Sequence, residues 1–188
     1  MEGLDLQERL AIDKQWQAHW YKHIVQVEPW QSILDVGAGT GYGLTILSAN
    51  GIARVDGFDV VEISQSVPCA TISDFADSSY ELVTAIDVIE HVVRDGWFLA
   101  HLLRIAKRGV FISTPNWNVS KAQNPHHVRE YTPAELEELI ATFGFTRPLI
   151  DHRIWVSNHE CVVTTRESFD PDETWHNFGV LLLKEGVL

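Results

Sequence analysis

The sequence predicts an α/β fold: a doubly wound, mostly parallel seven-stranded sheet with helices on both faces and an antiparallel strand near the end. Three observations predict it. Apolar runs of strand length alternate with segments of helical pattern, which implies a parallel sheet covered on both sides. Glycine falls at every second position, Gly37, Gly39, Gly41 and Gly43, directly after the first sheet strand. In such sheets that is where ligands bind, outside the carboxyl ends of the strands. The last apolar stretches have no clear helix between them, so one strand enters antiparallel.

The elements follow in order. Residues 4 to about 27 read as amphipathic helix, in one piece or two, closed by Pro29. Residues 32–36 form a short apolar strand. Residues 42–50 are helical and end at Gly51, a C-cap residue. Residues 54–60 are the second strand, 70–72 a short third one and 81–86 a fourth. Residues 97–106 are helical, and 109–113 are a fifth strand stopped by Pro115. Thr132 to Glu135 is a capping box with Pro133 at the first helical position, and its helix runs to Gly144. Residues 146–156 and 178–184 supply the late strands. The chain reads as one domain over 1–188, a helical cap over 1–30 and an α/β core over 31–188.

Composition narrows the function. The chain has 188 residues and a formal net charge of −12, so it is a poor non-specific binder of nucleic acid or anionic membrane. No apolar run is long enough to span a bilayer. The N-terminus, MEGLDLQERL, is acidic and amphipathic, unlike a signal peptide. Cys69 and Cys161 lie outside any metal-type spacing and read as free thiols of a reducing compartment, the cytoplasm.

The glycine stretch, "ILDVGAGTGYG", admits three readings. A dinucleotide fingerprint needs G-x-G-x-x-G, and this spacing lacks the third glycine. A P-loop needs a lysine, and none is present. The third is Asp-x-Gly-x-Gly-x-Gly, met by Asp35, Gly37, Gly39 and Gly41. This resembles the first motif of Rossmann-like methyltransferases that use S-adenosylmethionine. The chemistry is consistent with that resemblance. Such a cofactor has no pyrophosphate, an acid at the strand end can order the loop and meet its ammonium, and glycines let backbone approach closely. A second acid is then required at the end of the next strand for the ribose hydroxyls, and Asp59 is so placed. Asp56 competes but falls inside the strand.

The resemblance continues through residues 79–92, 109–116 and 126–145, in the family's order, so it covers roughly 33–145. It implies S-adenosyl-L-methionine as cofactor, bound by Asp35, Gly37, Ala38, Gly39, Gly41, Asp59, Val60, Asp74, Asp87 and Val88. Asp74 is the nearest acid for the adenine amino group, since the usual position after the third strand holds Pro68, Cys69, Ala70 and Thr71. Backbone near Ala70 and Thr71 is the alternative for that contact.

His91 and His127 are the candidate bases. With Asp87 and Glu90 they also resemble the metal-binding pattern of small-RNA 3′-terminal 2′-O-methyltransferases. Carboxylates and imidazoles can grip a divalent cation. Here the first acid is Asp rather than Glu, and the acidic balance opposes RNA. The preferred reading has no metal. Segment 155–177, with His159, Trp175 and His176, is assigned by position to the acceptor pocket, with Arg129 and Tyr131 beside the histidine pair. The expected function is methyl transfer to the oxygen or nitrogen of a small-molecule acceptor. The alternatives are a metal-dependent RNA 2′-O-methyltransferase-like enzyme and a non-catalytic, cofactor-binding partner subunit. A nicotinamide-dependent oxidoreductase is disfavoured by the glycine spacing.

Overall fold

The first apolar run becomes β1, Ser32–Val36, and the strands that flank it follow the same rule of short, doubly buried segments. They are β2 (Arg54–Phe58), β3 (Tyr80–Ile86) and β4 (Ala106–Pro115). The later strands are β5 (Leu149–Ser157), β6 (Val163–Thr165) and β7 (Asn177–Lys184). The computed structural model describes residues 5–143, 149–157, 160–165 and 175–184. The sheet order is β2-β1-β3-β4-β7-β5-β6. β2, β1, β3 and β4 are mutually parallel, β7 runs antiparallel between β4 and β5, and β6 is antiparallel to β5.

The side-chain alternation of each strand feeds two cores. Leu34, Val83, Val110, Ile112 and Leu182 pack with α4 (Asp95–Ile105) and α6 (Pro133–Phe143). Ile33, Leu82, Phe111 and Leu181 pack with α2 (Ala18–Val27) and α3 (Tyr42–Ala49). α2 supplies Trp20, Tyr21 and Ile24, all buried, from one apolar face. α1 (Leu6–Trp16) precedes it, and the helix breaks at Gln17, so the N-terminal stretch is in two pieces. The Thr132–Glu135 capping box forms: Thr132 N donates to Glu135 Oε2 at 2.8 Å and Glu135 N to Thr132 Oγ1 at 3.3 Å. Its expected end, Gly144, lies outside the described residues. No helix among the described residues is long and apolar enough to cross a membrane.

The seventh strand is not the one expected. At 70–72 the chain makes one isolated bridge, between Asp59 and Cys69, and then a 3-10 turn over Ile72–Asp74. Pro68 lacks an N–H for a ladder, and the Thr71–Asp74 capping box draws the backbone into the turn instead. The seventh place in the sheet is taken at the opposite edge by β6. β4 is also longer than 109–113 suggests, because β7 pairs along it from Gly109 to Pro115.

Gly43 lets α3 meet α2. A Cβ there would lie 2.1 Å from Cζ of the Tyr21 ring. Alanine would gain about 1 kcal/mol of helix propensity, but overpacking costs about 1–3 kcal/mol and the ring is buried. Gly43→Ala is therefore expected to lower the melting temperature in thermal denaturation. An unchanged or raised midpoint would mean that α2 can slide over α3 at no cost.

Candidate functional site

The chain leaves β1 through a tight turn in which Gly37, Gly39 and Gly41 have φ of 75°, 53° and 80°. Only glycine adopts these angles readily. Gly37 N and Ala38 N both donate to Phe58 O, at 2.9 and 3.0 Å, which ties the turn to the end of β2. A Cβ on Gly37 would lie 2.6 Å from Val88 Cγ2. The turn is thus a cradle that a side chain would fill, which suits close approach by a ligand.

Asp35 lies beneath this turn and is fully buried. Its carboxylate accepts from Tyr21 Oη at 2.7 Å and from Thr84 Oγ1 at 2.6 Å. Asp59 follows β2 at the cavity edge, and its carboxylate accepts from Gly39 N at 3.0 Å and Val61 N at 3.2 Å. Asp56 stays in the strand, engaged by Arg54 and Tyr80. Asp87 ends β3 with φ of 53°. Its Oδ1 accepts from Ser113 Oγ at 2.7 Å and Asn177 Nδ2 at 3.0 Å.

These elements enclose a cavity of about 560 Å³. Of the residues expected at the cofactor, Gly37, Gly39, Asp59, Val60, Asp87 and Val88 line it. Ile12 and Gln17, from the α1–α2 junction, close it, and Trp97 and Phe98 of α4 form another wall. The remaining predicted residues are not in the lining. Asp35 and Ala38 are buried under the turn, and Gly41 opens α3 beside Val67 and Ser66. Asp74 is turned away: its Oδ2 accepts from Thr71 N at 2.9 Å and Thr71 Oγ1 at 3.2 Å. The wall on that side is Thr71 and Ile72 instead.

Beyond Asp87 the 3-10 turn Ile89–His91 brings three side chains together. His91 lines the cavity, and its Nδ1 lies 3.0 Å from His126 O. A carbonyl only accepts, so Nδ1 carries the proton and Nε2 keeps its lone pair. Burial holds the His91 pKa below its ordinary 6.5, so the ring is neutral at pH 7. Glu90 is buried; its Oε2 accepts from Thr114 Oγ1 at 3.0 Å, and its Oε1 has no partner among the described residues. Burial first, and Asp87 second, push its carboxyl pKa well above the usual range.

His127 is placed differently from the expectation. Its Nδ1 is 2.5 Å from Glu130 Oε1 and its Nε2 2.9 Å from Asn124 Nδ2, so both nitrogens are engaged and it is not in the cavity lining. Burial opposes the Glu130 charge, but hydrogen bonds from Ser120, His127 and Ala122 together hold its pKa below the ordinary value. The His91 and His127 rings meet edge to face at 4.8 Å. Ligand atoms of Glu90, His91 and His127 lie within 4.8 Å of one another, a possible metal set from which Asp87 is missing.

Arg129 and Tyr131 bond Asp95, fastening their segment to α4. Trp175 O and His176 O serve Asn116, and neither residue lines the cavity; His159 lies outside the described residues. Sequence reasoning missed Tyr21, Thr84, Ser113, Asn177 and Glu130. The partners of the acids sit 14 to 90 residues away, with no local motif to flag them.

Residues 27–147 match the model of a methyltransferase domain family. A probable S-adenosylmethionine-dependent methyltransferase of Mycolicibacterium smegmatis is 32% identical over 134 residues, covering 61% of this chain. The match spans 52% of that relative, about half its length. A SAM-dependent methyltransferase from Archaeoglobus fulgidus has a similar fold, with a TM-score of 0.71, 15% identity, and coverage of 93% of this chain and 99% of that one. The plantazolicin methyltransferase BpumL, in complex with a triazolic desmethylPZN analog and SAH, aligns with a TM-score of 0.61 and 17% identity. That alignment covers 93% of this chain and 84% of BpumL. The methyltransferase domain family and a relative described as S-adenosylmethionine-dependent support S-adenosyl-L-methionine as the cofactor.

Asp59 and Asp35 should respond differently to truncation. Asp59→Ala is expected to weaken S-adenosylhomocysteine binding by about 1–3 kcal/mol in calorimetric titration, through lost charge-assisted hydrogen bonds. Asp35→Ala removes the acceptor shared by the Tyr21 and Thr84 hydroxyls and is expected to cost about 1–3 kcal/mol of stability. Wild-type affinity in Asp59→Ala would move the cofactor away from this cavity edge.

Proposed function

Because the chain belongs to the methyltransferase domain family, we propose that it transfers the methyl group of S-adenosylmethionine to the oxygen or nitrogen of a small-molecule acceptor in this cavity. The observation that carries the acceptor chemistry is His91 at the cavity wall, with Nδ1 fixed by His126 O and a lone pair on Nε2. The glycine cradle and the Asp59 carboxylate fit the cofactor's nucleoside. Asp87 is the acid nearest the cationic end of that ligand in this reading. Bound there, the cofactor supplies an electrophilic methyl on sulfonium sulfur.

In this reading the Nε2 lone pair of His91 would accept the proton that a hydroxyl or amine acceptor loses on methylation. Ile12, Gln17 and Trp97 exclude water and hold the acceptor in line. The small-molecule assignment is supported by a cavity of about 560 Å³ whose lining, among the described residues, carries no Lys or Arg. The net charge of −12 opposes a polyanionic acceptor. Screening hydroxyl- and amine-bearing compounds for release of S-adenosylhomocysteine tests the reading. A chain that binds the cofactor yet turns over no acceptor would fit the partner-subunit alternative.

His91 predicts the pH dependence. Its pKa lies below 6.5, so the base form persists at pH 6.5 and turnover of a hydroxyl acceptor should fall only on further acidification. His91→Ala should lower turnover by about 10²–10⁴-fold with unchanged S-adenosylhomocysteine affinity. Loss of affinity equal to the loss of rate would make His91 a wall of the cofactor site instead.

A second reading is favoured by one observation. Glu90 Oε1 is buried without a partner among the described residues, within 4.8 Å of ligand atoms of His91 and His127. A divalent cation there would use Glu90 as an anion and could grip vicinal hydroxyls of an acceptor, RNA included. His127 would have to release Asn124 or Glu130 to reach it. Under this reading a chelator abolishes turnover, manganese or cobalt restores it, and His127→Ala removes metal binding but not S-adenosylhomocysteine binding. Under the metal-free reading chelation changes nothing, which is the expected result.

A further inference from the structure

The segment that replaces the third strand lacks a ladder of its own. After the Asp59–Cys69 bridge it holds only the turn Ile72–Asp74 before β3 begins at Tyr80. Yet Thr71 and Ile72 form one wall of the cavity. The turn closes on itself, with Thr71 N donating to Asp74 Oδ2 and Asp74 N to Thr71 O, and one side chain ties it to α4. Arg104, in the last turn of α4, donates from Nη2 to Ile72 O at 3.1 Å. Its Nη1 donates to Phe75 O at 2.7 Å and to Asp77 Oδ1 at 2.7 Å. Its Nε lies 3.3 Å from His101 Nδ1, which steadies the fork on its own helix. The backbone of the same turn of α4 joins in, because Ser78 N donates to Arg104 O at 2.9 Å.

The anchor also reaches the cavity by a second route. Phe75, whose carbonyl Arg104 holds, stacks on Phe58 at 4.7 Å with an interplanar angle of 27°, and Phe58 lines the cavity. One guanidinium therefore holds both the Ile72 carbonyl, next to Thr71 in the wall, and the Phe75 carbonyl beside the ring stack. Arginine suits this task because its planar fork serves several acceptors at once, which a lysine ammonium cannot do in the same geometry.

We propose that Arg104 is a positioning residue that sets the cavity wall facing the purine of the cofactor, and so its discrimination for adenine. This rests on the reading of the cavity as the cofactor site. Asp59 at the ribose leaves the Thr71–Ile72 wall as the neighbour of the base, where backbone groups can read the 6-amino edge. Arg104 touches no ligand and acts through the backbone that it holds.

The test compares S-adenosylhomocysteine with S-inosylhomocysteine, in which an oxo group replaces the 6-amino group, by calorimetric titration. Wild type is expected to prefer the adenosine form. Arg104→Lys and Arg104→Gln are expected to bind it at least about tenfold more weakly and to lose the preference, because two carbonyl anchors are gone. Arg104→Lys keeps the charge beside Asp77, so it reports on the wall even if Arg104→Gln folds poorly. Retained affinity and preference in Arg104→Lys would overturn the proposal. So would weaker binding with an unchanged preference, which would make Arg104 a stabiliser of the fold alone. A wild-type preference near unity would overturn it too. Wild type that binds neither compound would instead overturn the cofactor reading of the cavity.

Discussion

The Asp35 carboxylate is where three parts of the chain meet. Tyr21 of α2 bonds one oxygen and Thr84 of β3 the other, while the Asp35 backbone pairs with both β2 and β3. A fully buried carboxylate is tolerable only with such donors. The requirement runs outward from there. Tyr21 can reach Asp35 only because Gly43 leaves room for its ring. The docking of α2 in turn puts the α1–α2 junction, with Ile12 and Gln17, over the cavity. The glycine turn rests directly on the same strand end, so the cap, the sheet and the cradle share one polar centre.

The carboxyl edge of the sheet gathers acids: Asp35, Asp59 and Asp87 end successive parallel strands, with Glu90 one turn beyond. The donors described for the first three are neutral hydroxyls, an amide and backbone N–H groups. Satisfying an anion with neutral donors lowers its energy but leaves its field in place. A ligand with a sulfonium and an ammonium suits that field. Glu90 shows the limit of the arrangement. Deep burial and the nearness of Asp87 disfavour its charged form and raise its pKa well above the usual range.

The sheet, the glycine turn and the acids at strand ends were legible because each depends on short-range chemistry. Asp59 could be preferred over Asp56 from its place after the strand, and the structure puts Asp59 at the cavity while Asp56 bonds Arg54. The expected third strand failed where Pro68 and the Thr71–Asp74 pair outweighed a run of small residues. Asp74, expected near the adenine, engages the same turn through Oδ2 and is not in the cavity lining. Asn177, 90 residues from Asp87, had no local signature, and neither did Arg104, whose three acceptors outside α4 lie 27 to 32 residues away. Long-range polar pairing leaves no periodicity to read.

The acceptor side of the cavity depends on a loop as much as on the sheet. The proposed role of His91 as a base requires that Nδ1 donate to His126 O, since only that tautomer leaves a lone pair on Nε2. His126 O is held in place by its neighbours: Val128 N and Arg129 N both donate to Glu90 O, and His127 is gripped by Glu130. Glu130 is fixed in turn by Ala122 N and Ser120 Oγ. Glu130 thus orders a turn that meets the His91 ring through the His126 carbonyl and the edge of the His127 ring. This explains why a second histidine stands beside His91 with both nitrogens engaged. His127 serves the conformation of the segment that sets the tautomer, and its nearness to His91 follows from that task.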